Sequence, residues 1–305
     1  MTRAIALGLA AAFLCVSAQA VEFSNKSYCS STHTVFASGF QRFARLKNGD
    51  GRVSTEFNPT AGAIGYVYSP GMWHAGAAFS WESGTRRYSG RNDITNNYRV
   101  ESDMPGISVF GGFDTPNGWY VDADAFLGFG SYKARRVAAA NNGRGSSEDN
   151  TVFAAGLEGG KNFDLGWFFL TPHAGLDVAY TPEEHYNYTG GSYANKSQTY
   201  VEIPLGVSFS KVFDCGAWQI IPKVDVTMVN SIGHMDAMNS SPGFAYRTAD
   251  KWKVAGIGGD HFGARLSAGV AAKMNDRTTL GLDYTYEGRD SYNDHRISAS
   301  VGWSF

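Results

Sequence analysis

The chain has 305 residues, 26 Lys and Arg against 28 Asp and Glu for a net charge of −2, and only 18% charged residues beside 37 Gly, 20 Phe and 16 Tyr. This slightly acidic balance lacks the basic footprint of a nucleic-acid binder, and no stretch offers the roughly 20 continuous apolar residues of a spanning helix. Low charge, few prolines, and many glycines and aromatic rings suit an all-β chain with rings at membrane interfaces.

Residues 1–20 read as a secretory signal peptide, with one positive charge at Arg3, an apolar run from Ala4 to Val16 and the small-residue exit Ala18-Gln19-Ala20. Cys15 follows Leu14, not a small residue, so it reads as signal-peptide filler. Residues 21–32 are expected to be a short periplasmic or lumenal tail, and 33–305 a single outer-membrane β-barrel. With no helical span, a barrel is the membrane architecture open to this chain.

Period-two alternation then recurs along the chain and predicts twelve antiparallel transmembrane strands. They fall at about 33–46, 53–69, 72–84, 101–114, 118–134, 148–164, 166–181, 197–213, 217–230, 257–274, 278–288 and 292–305. In the third, Trp73, Ala75, Ala77, Phe79 and Trp81 alternate with His74, Ser80 and Glu82; in the fifth, Trp119, Val121, Ala123 and Ala125 alternate with Asp122 and Asp124. In the eighth, Val201, Ile203, Leu205, Val207 and Phe209 oppose Glu202, Gly206 and Ser208. The tenth sets Phe262, Ala264, Leu266, Ala268 and Val270 against Gly263, Arg265, Ser267 and Gly269. In the last strand Ile297, Ala299, Val301, Trp303 and Phe305 share one face, and Arg296, Ser298, Ser300, Gly302 and Ser304 the other. Short turns at Pro70-Gly71, Thr115–Gly118, Leu165-Gly166, Asp214–Gly216 and Asn275–Arg277 alternate with longer connections at 47–52, 85–100, 135–147, 182–196, 231–256 and 289–291. An even strand number places both barrel ends on the short-turn, periplasmic side, with the long loops outside.

From Thr34 to Phe305 the chain resembles the β-barrel translocator domain of autotransporters, the type V secretion family. The features that carry this are Lys47-Asn48-Gly49-Asp50-Gly51 after the first strand, Gly111-Gly112-Phe113 leading to Gly118-Trp119-Tyr120-Val121-Asp122, and Gly166-Trp167-Phe168-Phe169-Leu170-Thr171-Pro172. Gly216-Ala217-Trp218-Gln219-Ile220-Ile221-Pro222 and the stretch from Tyr284 to Phe305 complete the order and spacing. The final strand resembles the signal that barrel-assembly machinery recognises, carried by Ile297, Ala299, Val301, Trp303 and the terminal Phe305. The resemblance implies a bacterial outer-membrane location and a secretion translocator. Its usual architecture adds a large passenger ahead of the barrel and a helix in the pore, whereas here only residues 21–32 separate the signal from the first strand. A barrel-only member is therefore expected.

The inward-facing charges are Arg42, Glu82, Asp122, Asp124, Glu158, Asp177, Glu202, Lys223, Asp225, Arg265, Lys273, Asp283, Glu287 and Arg296. They would either line a selective pore or pair with one another, and the similar numbers of both signs favour pairing. Arg265, Lys273, Asp283 and Glu287, on adjacent strands, are the expected centre of a network that extends to Glu202, Lys223, Asp225 and Arg296. Cys29 and Cys215 share the periplasmic side, where they form a disulfide or stay as two thiols. His234, Met235, Asp236 and Met238 match no metal site, and Asn48–Gly51 is a turn, since neither an opening Asp nor a closing Glu frames a calcium loop. His173, His185, His261 and His295 have no Gly-x-Ser-x-Gly partner, so no enzyme activity, cofactor or metal is expected. The expected partners are outer-membrane lipid and lipopolysaccharide, the assembly machinery and a secreted or surface ligand, with no nucleic acid. Two rival functions are a small-solute pore and an adhesin or receptor surface on loops 85–100, 182–196 and 231–256, where Tyr186, Tyr188, Tyr193, Phe244 and Tyr246 would make contacts.

Overall fold

A strand with lipid on one face and water or packed polar groups on the other has its side chains sorted residue by residue, and this chain folds accordingly. The computed structural model describes residues 33–46, 54–89, 98–136, 146–181, 184–188, 191–195, 198–233, 236–239, 252–255, 261–274, 277–290 and 292–305. The expected signal peptide, tail and Cys29 lie outside these residues, as do Phe244 and Tyr246.

Twelve antiparallel staves form one closed barrel. They are β1 (His33–Leu46), β2 (Ser54–Phe57 and Thr60–Tyr68), β3 (Trp73–Ser89), β4 (Tyr98–Asp114), β5 (Trp119–Arg136), β6 (Ser146–Lys161), β7 (Phe169–Thr181), β8 (Gln198–Ser210), β9 (Trp218–Gly233), β10 (Phe262–Met274), β11 (Thr278–Arg289) and β12 (Tyr292–Ser304). Each stave pairs with the next in sequence, and β12 returns to β1 in continuous register from Thr34↔Ser304 to Leu46↔Tyr292. The Phe305 backbone N–H donates to the His33 carbonyl at 2.9 Å, and the two rings stack with centroids 5.8 Å apart, so the short-turn end of this seam is pinned.

Several boundaries differ from the sequence expectation. β2 is broken at Asn58-Pro59, because proline has no N–H for the ladder; the Arg42 N–H instead donates to the Pro59 carbonyl at 3.0 Å. β3 and β4 pair out to Tyr88↔Tyr98, which shortens the expected loop 85–100. The loops 182–196 and 231–256 contain ladders of their own, Glu184–Tyr188 with Gly191–Asn195 and Asp236–Asn239 with Trp252–Ala255. At the opposite end, Gly71, Gly118, Gly166 and Gly216 take positive φ values of 125°, 87°, 90° and 69° in the tight reversals, a conformation that side chains with a Cβ disfavour.

Large apolar side chains cover the outer face: Ile64, Phe79, Trp81, Ile107, Leu157, Leu205, Leu282 and Ile297 are all exposed. A continuous apolar surface of this extent is compatible with lipid and not with water. The inner face is less uniformly polar than the sequence suggests. Phe36, Val67, Ala78 and Phe110 form a buried cluster on the lumen side of β1 to β4. Rings there lie across neighbouring glycines: a Cβ added to Gly65 would sit 2.5 Å from Phe36, one on Gly76 2.4 Å from Phe110, one on Gly106 2.3 Å from Phe126, and one on Gly160 2.6 Å from Tyr120. The ring of one stave thus fills the gap left by the missing side chain of the next.

Candidate functional site

The lumen holds the charged side chains, because the alternation that turns Leu282, Tyr284 and Ile297 outward turns Asp283, Thr285 and Arg296 inward. Toward the long-loop end, β8, β10 and β11 converge on a four-membered cluster. Arg265 Nη2 donates to Glu202 Oε1 at 2.7 Å and to Glu287 Oε2 at 3.0 Å. Arg289 Nη2 donates to Glu202 Oε2 at 2.9 Å, and its Nε to Glu287 Oε1 at 2.8 Å. Each guanidinium bridges both carboxylates, so opposite charges alternate around a closed circuit. The Tyr200 hydroxyl donates to Glu202, and Arg289 Nη1 donates to Ser231 Oγ at 2.5 Å. Arg289 is almost wholly buried, its side chain 1% exposed, so it depends on these partners rather than on water.

A second cluster spans the seam. Arg42 Nε donates to Asp294 Oδ2 at 2.6 Å and Arg42 Nη2 to the Tyr292 hydroxyl at 2.6 Å. Arg296 faces Arg42 directly across the ladder. Glu82, 1% exposed on β3, has both carboxylate oxygens buried without a hydrogen-bond partner among the described residues.

From β5 to β7 the wall is acidic, from Asp122 and Glu158 near the short-turn end up to Asp177, which lies directly across the ladder from Glu202. Asp122 lies 3.2 Å from His74 Nε2, the Tyr120 hydroxyl donates to Glu158 at 2.8 Å, and Asp124 and Asp177 flank Gly156. His173 Nε2 meets Asp225 Oδ2 at 2.7 Å, and the Thr227 hydroxyl donates to the other oxygen of Asp225 at 2.5 Å.

Of the residues singled out from sequence, Glu202, Arg265 and Glu287 come together in one cluster. Lys273 and Asp283 do not share its register: Lys273 pairs with Thr279 at the far end of β10, and Asp283 lies across from Gly269. Lys223 and Asp225 lie inward on β9, where Asp225 serves His173, and Arg296 belongs to the seam. Arg289, Tyr200, Tyr292 and Asp294 complete the two clusters and were missed. Their signal was available, since Arg289 continues the inward parity of Asp283, Thr285 and Glu287, and Asp294 that of Arg296. Cys215 is exposed, and its expected partner Cys29 lies outside the described residues. Among the described residues no group of His, Cys, Asp and Glu is arranged to hold a metal ion. The side chains of Tyr186, Tyr188 and Tyr193 also lie outside what is described.

Comparison with known proteins gives consistent relatives. The autotransporter beta-domain family model matches residues 35–285. The beta domain of the Bordetella autotransporter BrkA superposes with a TM-score of 0.69 at 17% identity, covering 90% of this chain and 100% of that one. The translocator domain of autotransporter NalP from Neisseria meningitidis gives 0.65 at 15% identity, covering 100% and 97%. The transport unit of AIDA-I from Escherichia coli gives 0.63 at 11% identity, covering 95% and 98%. No curated protein matches the sequence.

Proposed function

The chain belongs to the autotransporter beta-domain family, and from that membership we propose that it works in the bacterial outer membrane as a translocator, holding an extended polypeptide segment in its lumen on the way to the cell surface. The observation that carries this reading is a fully closed ladder around an interior lined with charged and hydroxyl groups. An extended segment crossing a membrane has backbone N–H and C=O groups that must be hydrogen-bonded, and a polar lumen supplies partners where lipid cannot. The strands between His33 and Ser304 are spent on the barrel itself, so the carried segment comes from outside them. The clusters around Arg289 and Arg42 brace the wall toward the cell surface, while Asp122 and Glu158, near the short-turn ends of β5 and β6, line the periplasmic approach.

The test places an epitope tag just after Ala20 and treats intact cells with external protease, with a periplasmic protein as control for a closed envelope. Removal of the tag is the expected result. Full protection, with the barrel present and folded in the outer membrane, would overturn the translocator reading.

A further inference from the structure

Two consecutive periplasmic turns carry the same short pattern: Lys161-Asn162-Phe163-Asp164-Leu165-Gly166 after β6, and Lys211-Val212-Phe213-Asp214-Cys215-Gly216 after β8. Both lysines continue the outward parity of their staves, Lys161 after Leu157 and Lys211 after Leu205 and Phe209. Each ammonium is held over two rings. Lys161 Nζ lies 4.8 Å from the Phe163 centroid and 5.1 Å from Trp119, its cross-strand partner. Lys211 Nζ lies 4.9 Å from Phe213 and 5.8 Å from Trp167, which comes from the other turn.

On the Lys211 side the rings extend further, with the centroids of Trp167 and Phe168 5.8 Å apart and those of Phe168 and Phe209 6.2 Å apart. Trp167 is 73% exposed. The neighbouring carboxylates are used within the turns: Asp164 accepts the Gly166 N–H at 2.8 Å, and Asp214 accepts from Gln219 Nε2 at 2.9 Å. Among the described residues no carboxylate pairs with either lysine, whereas Arg42, Arg265 and Arg289 in the lumen are all ion-paired.

We propose that Lys161 and Lys211 form two matching sites for the phosphodiester of a glycerophospholipid in the periplasmic leaflet. The rings hold each ammonium where the barrel wall gives way to the short turns, within the aromatic belt at headgroup depth. A ring face neutralises none of the charge, so each ammonium presents a positive charge at that plane, with the exposed aromatic surface of Trp119, Phe163, Trp167 and Phe213 beside it for the lipid to lie against. The inference rests on the barrel being embedded in a membrane and is independent of what passes through the lumen.

The experiment is native mass spectrometry of the full barrel released from micelles containing phosphatidylglycerol. Folding of each variant is checked by the shift in gel mobility between unheated and boiled samples. Wild type is expected to retain two more lipids than the Lys161→Ala/Lys211→Ala double variant, and each single variant one fewer than wild type, with about fivefold weaker binding per lost lysine. The Lys161→Arg/Lys211→Arg variant keeps both lipids, and Trp119→Leu weakens retention at the Lys161 site alone. Equal retention by wild type and the double alanine variant would overturn the proposal. So would displacement of the retained lipid by inorganic phosphate, which would mark a simple anion site.

Discussion

Replacing Arg289 with Met removes a cation that is 1% exposed and leaves Arg265 as the remaining arginine of the four-membered circuit to serve Glu202 and Glu287. Removing one partner of a buried ion pair costs about 3–5 kcal/mol, because the remaining charge is stranded in a poorly solvated place. Arg265 still reaches both carboxylates, at 2.7 and 3.0 Å, so the loss should fall near the lower end, about 3 kcal/mol. The two arginines are not equivalent. Arg265 is 18% exposed, and water partly replaces what its neighbours supply, so Arg265→Met should be the milder change. Adding Glu202→Gln to Arg289→Met removes the stranded charge and should recover part of the loss, a coupling that a double-mutant cycle measures directly. The assay is urea unfolding of barrels folded into liposomes, followed by tryptophan fluorescence. Stability of Arg289→Met within about 1 kcal/mol of wild type, or strictly additive effects in the cycle, would refute the account of a mutually dependent circuit.

Two further predictions use the same unfolding assay. Gly106→Leu places side-chain atoms where the Phe126 ring now lies, 2.3 Å from the added Cβ, and should cost about 1–3 kcal/mol, with partial recovery when Phe126→Ala vacates the space; no recovery would mean that the ring and the glycine are not coupled. Ile297→Arg puts a charge on the outward face of β12, where Ile297 is 48% exposed to lipid, and should cost about 2–4 kcal/mol; an unchanged midpoint would mean that this face does not meet the hydrocarbon.

The staves were legible in the sequence because a barrel wall separates two environments at every residue. Even though the expected strand 278–288 stops one residue short, its alternation turns Leu280, Leu282 and Tyr284 to lipid and Asp283 and Glu287 to the lumen. Parity along one strand, however, says nothing about what lies across the ladder. Phe36, Phe110 and Phe126 point inward against that simple sorting because Gly65, Gly76 and Gly106 on adjacent staves make room for them, a relation fixed by register. Proximity within the lumen was hidden for the same reason. Arg265 and Lys273 share a face of β10, yet only Arg265 meets Glu202, a residue from a stave two positions away around the barrel. Arg289 was lost for a different reason: it closes its strand, where alternation gives way to loop and the pattern carries least weight.

The seam between β1 and β12 sets a timetable for the whole molecule. Every other ladder joins staves that follow one another in sequence and can zip as hairpins, but the Thr34 hydroxyl meets Ser304 across 270 positions of chain. Closing so long a loop carries the largest entropic penalty of any pairing in the barrel, so it is expected to come late in folding. Until then the wall is an open, curling sheet with two bare edges, and anything that is to occupy the interior can enter sideways instead of threading through an end. Once Phe305 has paired with His33 that route is gone, and the order of closure decides what the barrel encloses.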